Sequence, residues 1–364
     1  MSPSSSRSDA FGFLVARGPV AAATTGRAWL QAMLDAEAAL AGAQADTGEI
    51  PRPTADAIAA ACRVDRFDVD AVLADAALGG NAVIPLVAGL RQLLGPAVAP
   101  AVHLHATSQD IADAATALVV RRSAELVGDG LRAAAARVAG IAAEHGASPM
   151  IARTLGQHAV PSTFGAVSAR WSAGLAAATA AIDGAARTPV MLGGPSGDGT
   201  SFGANGEAIV GSFARRLGLP AATSAGPTQR SASAAVAGAW GLAAAAVGKI
   251  GLDIVLLAQS DIGEVGERAD GAGGSSSMAH KHNPIAAVSA RAASMQAPGL
   301  VSTLLHAAGG HELERASGAW HAEWPALDQL LRVTGSAVDW LQTSLGRLVV
   351  DPDRMAANLA RRDG

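Results

Sequence analysis

One loop in the C-terminal half of the chain carries the side chains best suited to chemistry. Residues 273–284 read Gly-Gly-Ser-Ser-Ser-Met-Ala-His-Lys-His-Asn-Pro, so hydroxyls, an ammonium, two imidazoles and an amide share one glycine-hinged segment. Asn283 followed by Pro284 is typical of a helix N-cap and a first helical residue. Free amides at a helix start favour anions. The pattern predicts a loop that binds a carboxylate and, with Lys281 close by, stabilises a serine alkoxide.

Three other polar segments are candidates for the same site. Residues 103–110 read His-Leu-His-Ala-Thr-Ser-Gln-Asp, where Thr107 and Asp110 fit a capping box. Residues 153–165 gather an arginine, a glutamine and a histidine before a proline, and residues 311–324 combine charges with two tryptophans four apart. Each segment alone also fits a structural role, as a helix cap, a solvated loop or a packed helix end. Their order and spacing together favour one functional site.

The composition predicts an all-α protein. Half of the 364 residues are apolar, mostly alanine, and alanine is the best helix former. Charged residues make up 16%, below the usual ~25%, which favours an oligomer that hides surface. No run shows sustained strand alternation. Long helical patterns, which together indicate an elongated antiparallel bundle, cover residues 27–46, 81–94, 107–144, 161–186, 229–262, 284–306 and 319–348.

The organisation along the chain gives further expectations. We expect an N-terminal helical domain over residues 1–105, a central long-helix bundle over 106–348 and a short C-terminal tail over 349–364. The alanine-rich run 231–248 is a weak membrane candidate and fits a buried helix of an oligomer core better. Cys62 is the only cysteine, and the start of the chain lacks a secretory pattern, so we expect a reducing, cytoplasmic location. The net charge of −4 gives no reason to expect nucleic acid or membrane as a partner.

These segments resemble the fumarase/aspartase superfamily. Its signature, Gly-Ser-x-x-Met-x-x-Lys-x-Asn, is present at 274–283, and its two other regions match 107–110 and 154–165 in the same order. The resemblance implies a homotetramer whose long helices form the core and whose sites are each completed by three subunits. Within the superfamily the chain most resembles the bacterial 3-carboxy-cis,cis-muconate cycloisomerases, at 80–87, 106–111 and 320–325.

The resemblance also implies roles for individual residues. The catalytic group would be Ser275, Lys281 and His158. The groups that bind substrate carboxylates would be Thr107, Ser108, Gln109, Arg153, Thr154, Gln157, Ser276, Met278, Asn283 and Arg315. No metal or other cofactor is expected. The chain departs from the family pattern at Ala279, where proline is usual, at His282, where arginine is common, and in stopping soon after Pro352, short of the C-terminal domain of many relatives.

The implied reaction is the interconversion of 3-carboxy-cis,cis-muconate and 4-carboxymuconolactone, a step of the protocatechuate branch of the β-ketoadipate pathway. Superfamily lyases often carry histidine directly after the threonine that matches Thr154, whereas this chain has Leu155. A carboxylate leaves without protonation, since carboxylic acids have pKa values near 4, whereas an amine needs a general acid. Lactone chemistry is therefore favoured over C–N elimination.

Three alternatives remain open at this point. The first is another lyase of the superfamily, acting on adenylosuccinate or argininosuccinate and releasing fumarate. The second is a non-catalytic helical scaffold of the same fold, as in lens crystallins. The third is a metal-dependent hydrolase that uses the His103/His105 or the His280/His282 pair as ligands.

Overall fold

The computed structural model of the chain describes residues 10–223, 226–268, 272–274, 277–278 and 281–361. The helices are α1 Gly12–Val15, α2 Pro19–Ala23, α3 Gly26–Asp46, α4 Arg52–Ala61, α5 Val69–Gly79, α6 Val83–Leu94, α7 Ser108–His145, α8 Phe164–Ala185, α9 Gly206–Leu217, α10 Ser231–Leu257, α11 Ile285–Ser294, α12 Ala297–Gly309, α13 Ala319–Arg347 and α14 Pro352–Ala360. The strands are β1 Pro149–Thr154, β2 Gln157–Thr163, β3 Val265–Glu267 and β4 Leu348–Val350. β1 pairs with β2 and β3 with β4, both antiparallel. The all-α prediction is confirmed.

Four long helices, α7, α8, α10 and α13, pack along one another as an elongated bundle. α7 has 38 residues and α10 has 27, which at 1.5 Å per residue makes them about 57 Å and about 40 Å long. Small residues let the helices approach closely: a Cβ on Gly251 of α10 would lie 3.0 Å from the carbonyl oxygen of Ala287 in α11. Trp171 and Trp240 fill the wider gaps and are almost completely buried. The alanine-rich composition thus produces close helix contacts.

The observed helices match the predicted ranges in part. α3, α7 and α13 begin and end within a few residues of the predictions 27–46, 107–144 and 319–348. The predicted helix 161–186 starts later, at Phe164, because Pro161 pairs with Ile151 in the β1–β2 hairpin. The predicted helix 284–306 divides into α11 and α12, since Pro298 cannot continue the first helix and instead occupies the first turn of the second. The structure adds two short strand pairs, which no sustained alternation of polar and apolar residues marks in the sequence.

The bundle has two polar ends. Asp113, near the start of α7, bonds to Arg230 at the start of α10 and to Trp320 at the start of α13. The three helices therefore begin side by side, and we call this end of the bundle the cap end. The hairpin β1–β2 follows α7 at its far end, where Arg153 bonds to Glu264, just after α10; we call this the hairpin end. The length of α10 separates the two ends by about 40 Å.

Two segments of the described residues, Val83–Ala101 and Ser231–Leu257, are long and apolar enough by composition to cross a membrane. The second is α10, which packs against α8, α11 and α13 as a bundle helix. Core helices of water-exposed proteins meet the same criterion, so the finding does not indicate a membrane protein. One hydrophobic core runs from Val20 to Met355 across all three predicted domains, and the domain division stays a prediction.

Candidate functional site

The cap end is organised by the carboxylate of Asp110. Asp110 and Thr107 form the predicted capping box, in which the amide of Thr107 donates to Asp110 over 3.0 Å. The same carboxylate accepts the amides of Gly193, at 2.7 Å, and Gly194, at 3.0 Å. Burial raises the pKa of Asp110, and the three amide donors oppose that effect. Asp110 therefore joins the start of α7 to the glycine-rich turn 193–199.

Arg315 lies against this turn. Its guanidinium donates to the side-chain oxygen of Gln109, at 3.1 Å, and to the carbonyl oxygen of Gly194. Both acceptors are neutral, so these bonds fix the orientation of the guanidinium without neutralising it. Thr107, Ser108 and Arg315 are half-buried, whereas Gln109 is buried. A half-buried cation held at the helix start that also carries the Thr107 and Ser108 side chains is suited to binding a carboxylate.

A buried ion network supports this arrangement from behind. Arg230 is 8% exposed and bonds to Asp113, at 2.6 Å, and to Glu323, at 3.1 Å. Burial alone would lower the pKa of Arg230, but the two carboxylates outweigh it and raise the pKa. Asp113 also accepts from Gln109, at 3.3 Å, and from Trp320, at 3.0 Å. The network thus holds Gln109 in place from the side opposite Arg315.

An apolar cavity of about 440 Å³ opens beside the network. Trp29, Met33, Leu73 and Trp324 line it, and Asp113 and Arg230 reach its wall. The polar groups around it bond to one another; Trp29, for example, donates to Asp328 over 2.9 Å. The cavity therefore offers mainly apolar contact.

Asp110→Asn is expected to lower the free energy of unfolding by about 1–3 kcal/mol. The two carboxylate oxygens of Asp110 accept three backbone amides, whereas an asparagine side chain has only one acceptor oxygen. Urea unfolding at a fixed protein concentration measures the effect. The matched control is Asp198→Asn, on the same turn. Asp198 is exposed, and its bonds to Ser196 and Thr200 lower its pKa to about 2. The control is expected to lower stability much less, because its hydrogen bonds are exposed to solvent. Equal losses in both variants would contradict the special role of Asp110.

The hairpin end carries the second polar segment. Arg153 lies opposite His158 and Thr154 opposite Gln157, so Leu155 and Gly156 form the two-residue turn. Both turn residues have positive φ, +51° and +80°, as a tight hairpin requires. Leu155 is fully exposed at the tip, and Thr154, Gln157 and His158 are exposed beside it. The hairpin presents its polar groups away from its own chain.

Arg153 does not share that exposure. Its guanidinium binds both oxygens of Glu264, at 2.7 and 2.9 Å, and Glu264 is completely buried. Asn358 donates to the same carboxylate over 2.9 Å. Within one chain Arg153 therefore anchors the hairpin to the end of α10, and the charge expected to bind substrate is already paired.

The loop before α11 is closed at its base. The backbone amide and the side-chain amide of Asn283 both donate to the carbonyl oxygen of Gly273, at 2.8 and 3.1 Å. Gly273 has φ +77°, and a Cβ there would lie 2.4 Å from the carbonyl oxygen of Asn283, so only glycine fits. Met278 and Lys281 are exposed between these points. Ser275 and Ser276 lie outside the described residues.

The expected helix cap at Asn283 was wrong. α11 begins at Ile285, and the carboxylate of Glu267 accepts the amides of Ala286, at 3.0 Å, and Ala287, at 2.8 Å. The anion at this helix start is therefore a side chain of the chain itself, fixed further by Ser344. Among the described residues of this loop, the exposed Lys281 can bind an external carboxylate.

The structure divides the predicted site residues between the two ends. The cap end holds Thr107, Ser108, Gln109 and Arg315. The hairpin end holds Arg153, Thr154, Gln157, His158 and, next to α11, Lys281 and Asn283. The sequence did not indicate the supporting residues Asp113, Arg230, Glu264 and Glu267, and it placed Glu323 in a candidate segment without a role. Asp113 had a local signal as well, because it lies one helical turn beyond Gln109.

Potential metal ligands do not gather in the part of the chain that the structure describes: no three His, Cys, Asp or Glu side chains form a group. His103 and His105 bond to different carboxylates, of Glu37 and Glu49 respectively. His280 lies outside the described residues. The metal-dependent alternative therefore has no support at the first histidine pair.

Comparisons with known proteins agree with the fold and the signature. The model of a family described as "Lyase" matches residues 13–299. The chain belongs to this lyase family, within the fumarase/aspartase superfamily, as its signature predicted.

Individual relatives within this family have named activities. The chain is 41% identical to a nitrosuccinate lyase of Streptomyces davaonensis, over 94% of this chain and 74% of that protein. It is 40% identical to a 3-carboxy-cis,cis-muconate cycloisomerase of Bradyrhizobium diazoefficiens, over 94% of this chain and 77% of that one. The crystal structure of the 3-carboxy-cis,cis-muconate lactonizing enzyme from Pseudomonas putida superposes with a TM-score of 0.89 and 34% identity, covering 96% of this chain and 79% of that one.

Proposed function

We propose that the protein is a cycloisomerase that interconverts 3-carboxy-cis,cis-muconate and 4-carboxymuconolactone. In the forward direction one substrate carboxylate adds to an alkene carbon and closes a five-membered lactone. A proton is delivered to the carbon alpha to another carboxylate. Curated cycloisomerases at 35–40% identity over more than nine-tenths of the chain support this assignment.

Ser275 carries the proton in this proposal. Its hydroxyl protonates the alpha carbon during ring closure and, as an alkoxide, removes the same proton in reverse. The alkoxide is too basic to form unaided, so Lys281 and the loop amides stabilise its charge. The intermediate carries extra negative charge on the carboxylate next to the reacting carbon. Arg315, Lys281 and the hydroxyls of Thr107, Ser108 and Thr154 stabilise it electrostatically. His158 stays a candidate proton donor.

The main support for this function is the residue at the tip of the β1–β2 hairpin. Where many superfamily lyases have histidine, this chain presents the fully exposed, apolar Leu155. Elimination of an amine needs a proton donor for the leaving nitrogen, and leucine cannot supply one. A leaving carboxylate needs none, since its pKa is near 4. The tip therefore favours lactone chemistry over adenylosuccinate- or argininosuccinate-type elimination.

We also propose a homotetramer in which different copies complete each site. The two groups of site residues are about 40 Å apart within one chain, too far to act on one small molecule. α10 supports the assembly, because less than half of its most apolar stretch is buried in one chain and Leu242 and Leu256 are nearly half exposed. An antiparallel neighbour would cover this face and bring a hairpin end to a cap end.

The relative from Streptomyces davaonensis supports a second candidate, elimination of nitrite from nitrosuccinate. Nitrite, like a carboxylate, is the anion of a moderately strong acid and departs without a proton. The argument from Leu155 therefore excludes neither reaction. The two reactions differ in what happens to the leaving group. When the lactone ring opens, the carboxylate stays part of the product, whereas nitrite leaves as a separate molecule.

An ultraviolet assay separates the two candidates. Purified protein is supplied with 3-carboxy-cis,cis-muconate, and loss of the conjugated diene is followed while NMR identifies the product. We expect 4-carboxymuconolactone, and nitrosuccinate is expected to be turned over at least about 100-fold less efficiently, as kcat/KM, the discrimination that about 2.7 kcal/mol of differential transition-state binding provides. Efficient nitrite release with no lactone would replace the cycloisomerase proposal with the lyase one.

A further inference from the structure

Residues 102–107 form a strap that leads into the start of α7. Two of its residues, His103 and His105, have φ values of +60° and +63°. Non-glycine residues avoid this left-handed region, because the Cβ crowds the backbone. Such conformations persist only where surrounding contacts impose them. The strap is therefore held in a strained shape directly before Thr107, Ser108 and Gln109.

α3 supplies most of the contacts that hold the strap. Nδ1 of His103 lies 2.5 Å from Oε1 of Glu37, and the histidine donates this hydrogen bond in the tautomer that carries the proton on Nδ1. Nε2 of Gln44, seven residues further along the same face, donates to the carbonyl oxygen of Leu104 over 2.8 Å. The carbonyl oxygen of His105 accepts from Ser201 at 2.9 Å. Three successive residues of the strap are thus fixed, two by α3 and one by Ser201.

The hydrogen bond between His103 and Glu37 is better shielded from solvent than the one between His105 and Glu49. Their side chains are 13% and 1% exposed, against 36% and 31% for His105 and Glu49, which are 3.1 Å apart. The second oxygen of Glu37 is buried and has no hydrogen-bond partner among the described residues. Removing His103 would leave this buried carboxylate without its donor, a much larger loss than at the solvated pair.

We propose that His103 is a positioning residue for Thr107, Ser108 and Gln109, the residues at the cap end that the strap leads into. The hydrogen bond of its side chain goes to Glu37 and not to a site residue, so it acts by locking the strap. The locked strap sets where the capping box begins, and with it the directions of the Thr107 and Ser108 hydroxyls. The identity of the ligand rests on the proposed function; the positioning itself does not.

The test compares substitutions that keep or remove the donor. His103→Asn keeps an N–H donor, and asparagine tolerates positive φ; His103→Ala removes the donor and keeps the strain. His103→Ala is expected to raise KM for 3-carboxy-cis,cis-muconate at least about tenfold, the effect of one lost charge-assisted hydrogen bond, while kcat changes less than about threefold. His103→Asn should restore most of the affinity. His105→Asn, at the solvated pair, is the matched control and should stay within about twofold of wild type.

Hydrogen exchange supplies a readout without turnover. The amides of residues 107–110 are expected to exchange faster in His103→Ala than in wild type, His103→Asn or His105→Asn. Should His103→Ala fail to fold, Glu37→Gln weakens the same bond and is expected to change both readouts in the same direction. Wild-type inactivity on the muconate would contradict the proposed function alone. Unchanged exchange, or an unchanged KM in an active enzyme, would contradict the positioning role.

Discussion

Ser275→Ala is expected to lower kcat by about 10²–10⁴-fold, the range that proton transfer by a positioned side chain contributes. Alanine cannot hold the proton that moves to and from the alpha carbon. KM should change much less, because Lys281, Arg315 and the cap-end hydroxyls still bind the carboxylates. The measurement is the ultraviolet assay with 3-carboxy-cis,cis-muconate under saturating substrate.

Ser277→Ala is the matched control, since it removes a hydroxyl from the same loop at a position that the superfamily signature leaves variable. It is expected to keep kcat within a few fold of wild type. A Ser275→Ala protein as active as wild type would remove this serine from the mechanism. Full loss in the Ser277 variant with an active Ser275 variant would transfer the role to the neighbouring hydroxyl.

Arg230→Met is expected to lower the free energy of unfolding by about 3–5 kcal/mol. Removing the cation leaves the buried Glu323 and the half-buried Asp113 without their guanidinium, although His311 still contacts Glu323 and Trp320 still donates to Asp113. A buried charge that loses its ionic partner is strongly destabilising. Urea unfolding at a fixed protein concentration measures the loss, because assembly adds to apparent stability. KM should rise as well, since Gln109 loses the support of Asp113.

Arg132→Met is the matched control for that experiment. Arg132 also faces two carboxylates, Asp129 and Asp183, but all three side chains are about half exposed or more. Exposed ion pairs are worth about 0–1 kcal/mol, so the control should lose no more than that. Losses of similar size at Arg230 and Arg132 would mean that burial of the network does not determine its contribution.

The sequence was sufficient for the long helices because their information is local. Apolar periodicity and flanking prolines and glycines predicted α3, α7 and α13 nearly to their ends. The β1–β2 hairpin was missed because most of its residues are exposed on both faces, so no alternation of polar and apolar residues marks it. The break between α11 and α12 had a local signal in Pro298, which the prediction of one helix did not use.

The site was predictable only in its composition. Spacing and signature placed Thr107, Gln109, Lys281 and Arg315 among the candidates, and the capping box was visible as a four-residue pattern. The partners that decide what each group can do come from distant parts of the chain. Arg153 is paired by a carboxylate 111 residues away, and Gln109 is bound by an arginine 206 residues away. Likewise, the start of α11 is capped by Glu267 and not by the expected Asn283, and only the packed fold shows this.

If different copies of the chain complete one site, the cap end of one copy and the hairpin end of another must act together there. Hybrid assemblies of two impaired variants test it most directly: Arg315→Leu, which disables the cap end, and Ser275→Ala, which disables the loop before α11. The two proteins are unfolded together, refolded as a mixture and assayed with 3-carboxy-cis,cis-muconate. We expect activity well above the sum of the two variants refolded separately, because some sites then receive both intact ends. A mixture no more active than that sum, from variants that do form mixed oligomers, would contradict the shared site.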